Sequence, residues 1–299
     1  MTDGPHGLRK QADIAAGMGA GESVRATCFP PAVALGQTWD PSLAERVGQA
    51  LGDECQSEDV QILLGPGVNI KRSPLGGRNF EYFSEDPLVS GVMGSAWIRG
   101  IQSRGVGASL KHFALNNQED DRNGVDVVVS ERALREIYLP AFEAGVTEAK
   151  VWCVMSSYNL VKGPPPTANS HLLPDILEND WGFDGTVMSA WGGVHKTDAV
   201  QAGNDLDMPA VNNMSVAQLQ TALADHSVTP AAVDDSARRI LRTIIRVGLL
   251  DGPMKPEHGQ VNSGVNRELA FEVATKGIVL LKNEKGVLPL EREKIKSIA

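Results

Sequence analysis

Val151-Trp152-Cys153-Val154-Met155 is the stretch that decides the fold class. Five consecutive apolar residues leave no polar face. A strand built from them must be covered on both sides, as parallel strands in α/β proteins are. The same grammar repeats outward in both directions: a short apolar run, a loop, then an amphipathic segment. Toward the N-terminus, Gly107-Ala108-Ser109-Leu110 precedes a polar loop and a helical pattern over Ser130–Thr147. Val60-Gln61-Ile62-Leu63-Leu64 precedes a glycine-rich loop and a helix near Pro87–Gln102. Ala32-Val33-Ala34-Leu35-Gly36 reads as a first strand, before a helix that Asp40 can cap with Pro41 in its first position. Toward the C-terminus, a helix near His171–Asn179 leads to Thr186-Val187-Met188, and helical patterns follow near Ser215–Asp225 and Pro230–Val247. Strands alternating with helices give an α/β architecture. A closed (β/α) barrel and an open doubly wound sheet both fit that order. Long polar loops after the strands, with shorter returns, favour a barrel whose site lies at the C-terminal strand ends.

The 299 residues suit one barrel-sized domain plus a remnant. Hydrophobic residues at 42% and charged residues at 22% are ordinary for a globular chain and exclude disorder over most of it. A net charge of −9 without a basic block argues against nucleic acid as a partner. No apolar run approaches the roughly 20 residues needed to cross a bilayer, so no membrane partner is expected. Cys28, Cys55 and Cys153 lie far apart, which suits small core residues and a cytoplasmic setting. A secretion signal that has been removed remains the alternative. Gly17-Met18-Gly19-Ala20-Gly21 lacks the full dinucleotide fingerprint and reads as a flexible loop. There is no Walker loop, no HExxH and no GxSxG, and the six histidines lack zinc-ligand spacing, so neither metal nor cofactor is expected.

Polar and aromatic groups gather just after the strands. They include Asp3 and Arg9, Arg78 and Glu81, Lys111 and His112 with Arg122, Tyr158, the segment Ser189–His195 with Trp191, and Asp205 with Asp207. In a barrel these segments meet on one face. Carboxylates and cations that form charge-assisted hydrogen bonds, beside an aromatic plate, are what a neutral sugar ring requires. Each residue taken alone also has a plainer role. Arg78 can pair with Glu81 or Glu85, His112 can be a satisfied core histidine, and Trp191 can be packing. Lys111 is harder to dismiss, because a buried ammonium is costly without partners.

Taken together, five stretches resemble glycoside hydrolase family 3 in its β-glucosidase branch. They are Asp3-Gly4-Pro5-His6-Gly7-Leu8-Arg9, Gly77–Pro87, Lys111-His112-Phe113, Ser157-Tyr158-Asn159 and Gly203–Pro209. Gly277-Ile278-Val279-Leu280-Leu281-Lys282-Asn283 reads as a further strand, and its Val279–Asn283 part, with Leu288-Pro289-Leu290, resembles the family's lead-in to a second domain. The resemblance implies a TIM-like barrel over 1–251, a linker over 252–266 and the truncated start of an α/β sandwich over 267–299. It implies retaining hydrolysis of a terminal non-reducing β-linked glucose without metal or cofactor. By motif position, Asp3, Arg9, Arg78, Lys111, His112, Tyr158 and Trp191 would bind the sugar.

Three departures qualify the resemblance. The family's nucleophile is an aspartate in a Ser-Asp-Trp motif, and that position is Ala190 here. A methyl group cannot attack carbon, so this copy is expected to be inactive. With the rest of the pocket intact, deliberate removal of the nucleophile is favoured over a natural sugar-binding pseudoenzyme. The branch draws its acid/base from the second domain, so that group is expected outside this chain, on the remainder of the enzyme or a second chain. Glu119 is an available carboxyl group, though a loop ion pair with Arg122 explains it better. Lastly, only Met1-Thr2 precede Asp3, so the barrel is expected to lack its first β/α unit.

Overall fold

The computed structural model describes residues 1–11, 22–252 and 261–297. The Gly17–Gly21 loop, most of the expected linker and the final Ile298-Ala299 lie outside the described residues. Five parallel strands form the central sheet: β1 (Thr2–Asp3), β2 (Ile62–Leu64), β3 (Gly107–Phe113), β5 (Cys153–Ser156) and β7 (Thr186–Ser189), neighbours in that order. A second parallel pair joins β4 (Asp126–Val127) to β6 (Leu160–Val161). Every residue of β2, β3, β5 and β7 is buried, as parallel strands covered on both faces are, including the polar Ser109, Lys111 and His112 of β3. The register sets Asp3 beside Leu64 and Ser156 beside Ser189, so the loops that carry the polar groups leave from one end of the sheet. Beyond β7, Leu206 bridges Met188 in parallel.

The helices follow their caps. Asp40 accepts from the Leu43 amide at 3.1 Å to start α2 (Pro41–Ser57), which follows α1 (Ala32–Gln37). Asp86 accepts from the Leu88 amide at 2.7 Å to start α3 (Pro87–Gln102). α2 and α3 cross with their backbones in contact: a Cβ at Gly48 would stand 2.3 Å from the Trp97 carbonyl oxygen, and one at Gly100 2.1 Å from that of Glu45. No side chain fits at either position. Trp97, Phe83, Phe113 and Phe142 anchor the core between helices and sheet.

Two expected strands are corrected. Ala32–Gly36 is helical, because its buried residues Ala32, Leu35 and Gly36 fall at helical spacing on one face. Thr2–Asp3 instead supplies the strand beside β2, at one edge of the five-stranded sheet. Gly277–Asn283 forms no strand: Gly277 closes α8 with helical angles, and the described residues after it join no ladder, Leu281 being 91% exposed. A strand exists only with a neighbour to complete its ladder, and none lies beside this segment among the described residues.

Two expected helices are more complex than their pattern. Over Ser130–Thr147, α4 (Glu131–Ala133) widens into a π turn (Leu134–Tyr138) and restarts as α5 (Pro140–Thr147), since Pro140 lacks an N–H to continue the ladder. His171–Asp180 is π-helical around Pro174 for the same reason. α6 (Val216–Ala224) opens with a capping box between Ser215 and Gln218, and α7 (Pro230–Arg246) is capped by Thr229. α8 (Gly264–Lys276) begins inside the expected linker and buries Leu269 and Val273 in the main core. Glu54 ties it down, accepting from the Asn262 amide at 2.9 Å and from Asn266 Nδ2 at 3.0 Å.

Candidate active site

The site begins where β3 ends. Lys111 is only 4% exposed, yet its ammonium has partners: Asp3 Oδ1 at 3.1 Å and Glu81 Oε2 at 4.0 Å. Asp3 reaches this point from the end of β1, the neighbouring Glu81 from a short 3-10 turn over Asn79–Glu81. Burial raises the affinity of the Asp3 carboxyl for a proton. The Lys111 charge and hydrogen bond, with the Gly4 amide and the Arg9 charge, outweigh it and hold Asp3 below its ordinary pKa. Arg9 itself is exposed, and its backbone amide donates to the Asp3 carbonyl at 3.0 Å.

His112 sits at the centre of a closed polar ring. Arg78 Nη2 lies 2.9 Å from His112 Nε2. Arginine only donates, so Nε2 must accept, and the ring proton belongs on Nδ1. That Nδ1–H donates to the Tyr82 hydroxyl at 3.3 Å. Tyr82 is hydrogen-bonded in turn to the Asn116 side chain. Asn116 Nδ2 donates to Glu119 Oε1 at 2.7 Å, and Glu119 returns to Arg78 at 3.9 Å. The backbone of His112 is clamped by Asn69, whose Oδ1 accepts from its N–H at 2.8 Å and whose Nδ2 donates to its carbonyl at 3.0 Å. Complete burial, then the charges of Arg78, Lys111 and Arg122, keep the imidazole neutral with a pKa well below its ordinary value.

A second arm runs toward Ala190. Arg122 pairs with Glu119 at 3.2 Å and lies 4.3 Å from the centre of the Tyr158 ring. The Tyr158 hydroxyl donates to the Trp191 carbonyl at 3.0 Å. Ala190, 2% exposed at the end of β7, donates its amide to the Ser156 carbonyl at 3.1 Å and accepts from the Gly193 amide at 2.9 Å. Gly192 makes the intervening turn at φ +70°, a conformation that disfavours side chains. Trp191, half-buried, follows directly.

Residues 8–243 match the sequence profile described as the Glycosyl hydrolase family 3 N terminal domain. The chain belongs to glycosyl hydrolase family 3. Its barrel is the family's TIM-like barrel. A thermostable beta-glucosidase B of Acetivibrio thermocellus is 48% identical over 98% of this chain and 38% of its own length. An exo-alpha-(1->6)-L-arabinopyranosidase of Bifidobacterium longum is 46% identical over 97% of this chain, again 38% of its own. The structure of beta-glucosidase 3B from Thermotoga neapolitana in complex with glucose superposes with a TM-score of 0.88 at 40% identity, over 97% of this chain and 41% of that one. The chain therefore spans about two fifths of the length of these relatives.

Within this family 3 barrel, Asp3, Arg78, Lys111 and His112 form one contiguous array, and Tyr158, Trp191 and Ala190 form the arm beside it. The plainer readings also hold in part: Arg78 does pair with Glu81, and Glu119 with Arg122. Asp205 leaves the array. Its carboxylate accepts from Arg239 Nη2 at 2.8 Å and from the Val187 amide at 2.8 Å, so it holds the middle of α7 against β7. Asp207 caps two loop amides, those of Asn212 and Asn213. Burial pushes the Cys153 thiol up to about 12, as befits a core residue rather than a reactive one. No cluster of metal-ligating side chains occurs among the described residues. Sequence reasoning missed Asn69, Tyr82 and Asn116. Each acts through hydrogen bonds to residues far away in the chain, and polar residues in loops carry no periodic signal.

Proposed function

We propose that this chain is the sugar-binding barrel of a retaining β-glycosidase of β-glucosidase type, with Ala190 where the attacking carboxylate belongs. The observation that carries the reading is the convergence of Asp3, Lys111, Arg78 and His112 at the strand ends, one arm away from Ala190 and Trp191. Asp3 accepts from ring hydroxyls, and Arg78 and Lys111 donate to them. His112 has its Nε2 on Arg78, so it supports the array as a neutral ring. Trp191 walls the apolar face of the sugar.

Retaining hydrolysis uses two carboxyl groups about 5–5.5 Å apart, one attacking the anomeric carbon and one moving the proton. Ala190 offers a methyl group at the first position. Glu119 does not replace it, since Asn116, Arg122 and Arg78 already share its two oxygens. The acid/base belongs to a part of the enzyme outside this chain. With Ala190 in place, the chain binds a terminal sugar and leaves the glycosidic bond intact. A sugar-binding pseudoenzyme is the second reading, and the intact array around a missing nucleophile favours it equally at the level of binding.

Activity separates the two. The chain and Ala190→Asp are assayed on an aryl β-glucoside and an aryl α-L-arabinopyranoside with good leaving groups, each with and without azide or formate. A good leaving group reduces the need for the acid, and a small anion fills the space of the lost carboxylate. Turnover by Ala190→Asp, with the parent active only when the anion is present, supports the enzyme. Bound sugar without turnover in any arm supports the pseudoenzyme, and the aryl sugar that reacts identifies the glycone.

A further inference from the structure

Glu81 is 5% exposed, too deep to serve as a surface ion pair. It also engages two cations rather than one. Its carboxylate forms an ion pair with Arg78 Nε and stands 4.0 Å from Lys111 Nζ. Lys111 arrives from β3 and Arg78 from the loop just before the 3-10 turn, and the two point at different partners. With Nε held by Glu81, the guanidinium turns Nη2 onto His112 at 2.9 Å. With one side of the ammonium facing Glu81, the other faces Asp3 at 3.1 Å. Three cations (Arg78, Lys111, Arg122) then face three carboxylates (Asp3, Glu81, Glu119), which balances a largely buried cluster.

Resting on the sugar-pocket reading above, we propose that Glu81 is a positioning residue for substrate hydroxyls: it aims Arg78 and Lys111 without touching the sugar. A purely structural pair would weaken every ligand alike when broken. A positioning residue instead weakens only ligands that carry the hydroxyl its cations bind. It also disturbs the His112 tautomer, because Arg78 no longer stands fixed on Nε2.

The test uses the full chain, Glu81→Gln, and calorimetric titration with glucose and its 2-, 3-, 4- and 6-deoxy derivatives. We expect Glu81→Gln to weaken glucose about tenfold or more, the scale of a charge-assisted hydrogen bond. The penalty should shrink for the deoxy sugar lacking the hydroxyl that Arg78 or Lys111 holds. In parallel, ¹⁵N-histidine spectra should show Nδ1–H at His112 in the parent and a gain of Nε2–H in the variant. An equal penalty across all sugars, no penalty at all, or an unchanged His112 ring overturns the proposal. Should Glu81→Gln not fold, Glu81→Asp keeps the charge but shortens the reach, and the same readouts decide. A parent chain that binds no glucose defeats the sugar-pocket reading, whereas the His112 spectrum still judges whether Glu81 holds Arg78 in place.

Discussion

Lys111 Nζ and Asp3 Oδ1 lie 3.1 Å apart although 108 positions separate them in the chain. The contact joins the ends of two strands that are not even neighbours, since β2 runs between them. It therefore depends on the whole sheet. It also makes a buried ammonium tolerable and holds a carboxylate ionised where a neutral hydroxyl donor would meet it.

Lys111→Met should abolish much of the sugar affinity while keeping the fold. The apolar stem of methionine fills the same buried space, and Asp3, 46% exposed on its side chain, can recover water. The loss expected is about 1.5–3 kcal/mol, the worth of hydrogen bonds to a charged group. Calorimetric titration with glucose measures it, and undiminished affinity would remove Lys111 from the pocket.

Stability should fall on acidification through a window set by His112. Burial and then three nearby cations hold its pKa well below 6.5 in the folded chain. The unfolded chain takes up a proton near pH 6.5, and the folded chain refuses it until far lower pH. Stability is thus fully present above pH 6.5 and declines below it, by up to about 1.4 kcal/mol per pH unit for one such histidine. His6, lowered mainly by burial, adds in the same direction. Asp3 contributes only at lower pH, below its ordinary value of 3.8. Urea titrations between pH 7.5 and 5 should give a shallower dependence for His112→Gln than for the parent. Parallel curves would mean that His112 is not the group concerned.

Breaking the Asp205–Arg239 pair should be costly, but replacing it whole should not. The Asp205 side chain is 0% exposed, and Arg239 Nη2 stands 2.8 Å from it. Arg239→Met leaves a buried carboxylate unpaired, a loss of about 3–5 kcal/mol. Asp205→Asn combined with Arg239→Met keeps the bond to the Val187 amide and should recover part of that loss. Denaturant midpoints of the two variants test the ordering, and a double variant no more stable than the single one contradicts it.

Glu54→Ala should release α8 before anything else. The Glu54 carboxylate is fully buried and accepts from Thr27, Asn262 and Asn266. Removing it strands these donors at about 1–3 kcal/mol each where water cannot reach. Amide exchange should rise first over residues 261–276 and near Thr27, with β3 and β5 still protected. Uniform loss of protection would show that Glu54 supports the barrel as a whole.

Much of the fold was legible because burial leaves a pattern. Four of the five sheet strands lie within or against the apolar runs quoted above, and Asp40, Ser130 and Pro87 mark true helix starts. Ala32–Gly36 misled because five small or apolar residues suit a buried helix as well as a buried strand. Gly277–Asn283 misled because strand propensity is not strand pairing. The charged members of the array were legible as motifs, but the residues that orient them were not.

The sequence by itself determined the alternation of elements, the family and the identity of residue 190. Those are properties of local order: apolar spacing, caps and contiguous motifs. Only the tertiary structure decided that His112 is a neutral acceptor, that Lys111 hangs between Asp3 and Glu81, and that Asp205 serves a helix rather than the pocket. The reason is physical. A charge or tautomer depends on which groups lie within a few ångströms and how much water is excluded, and in this barrel those neighbours come from strands and loops far apart along the chain.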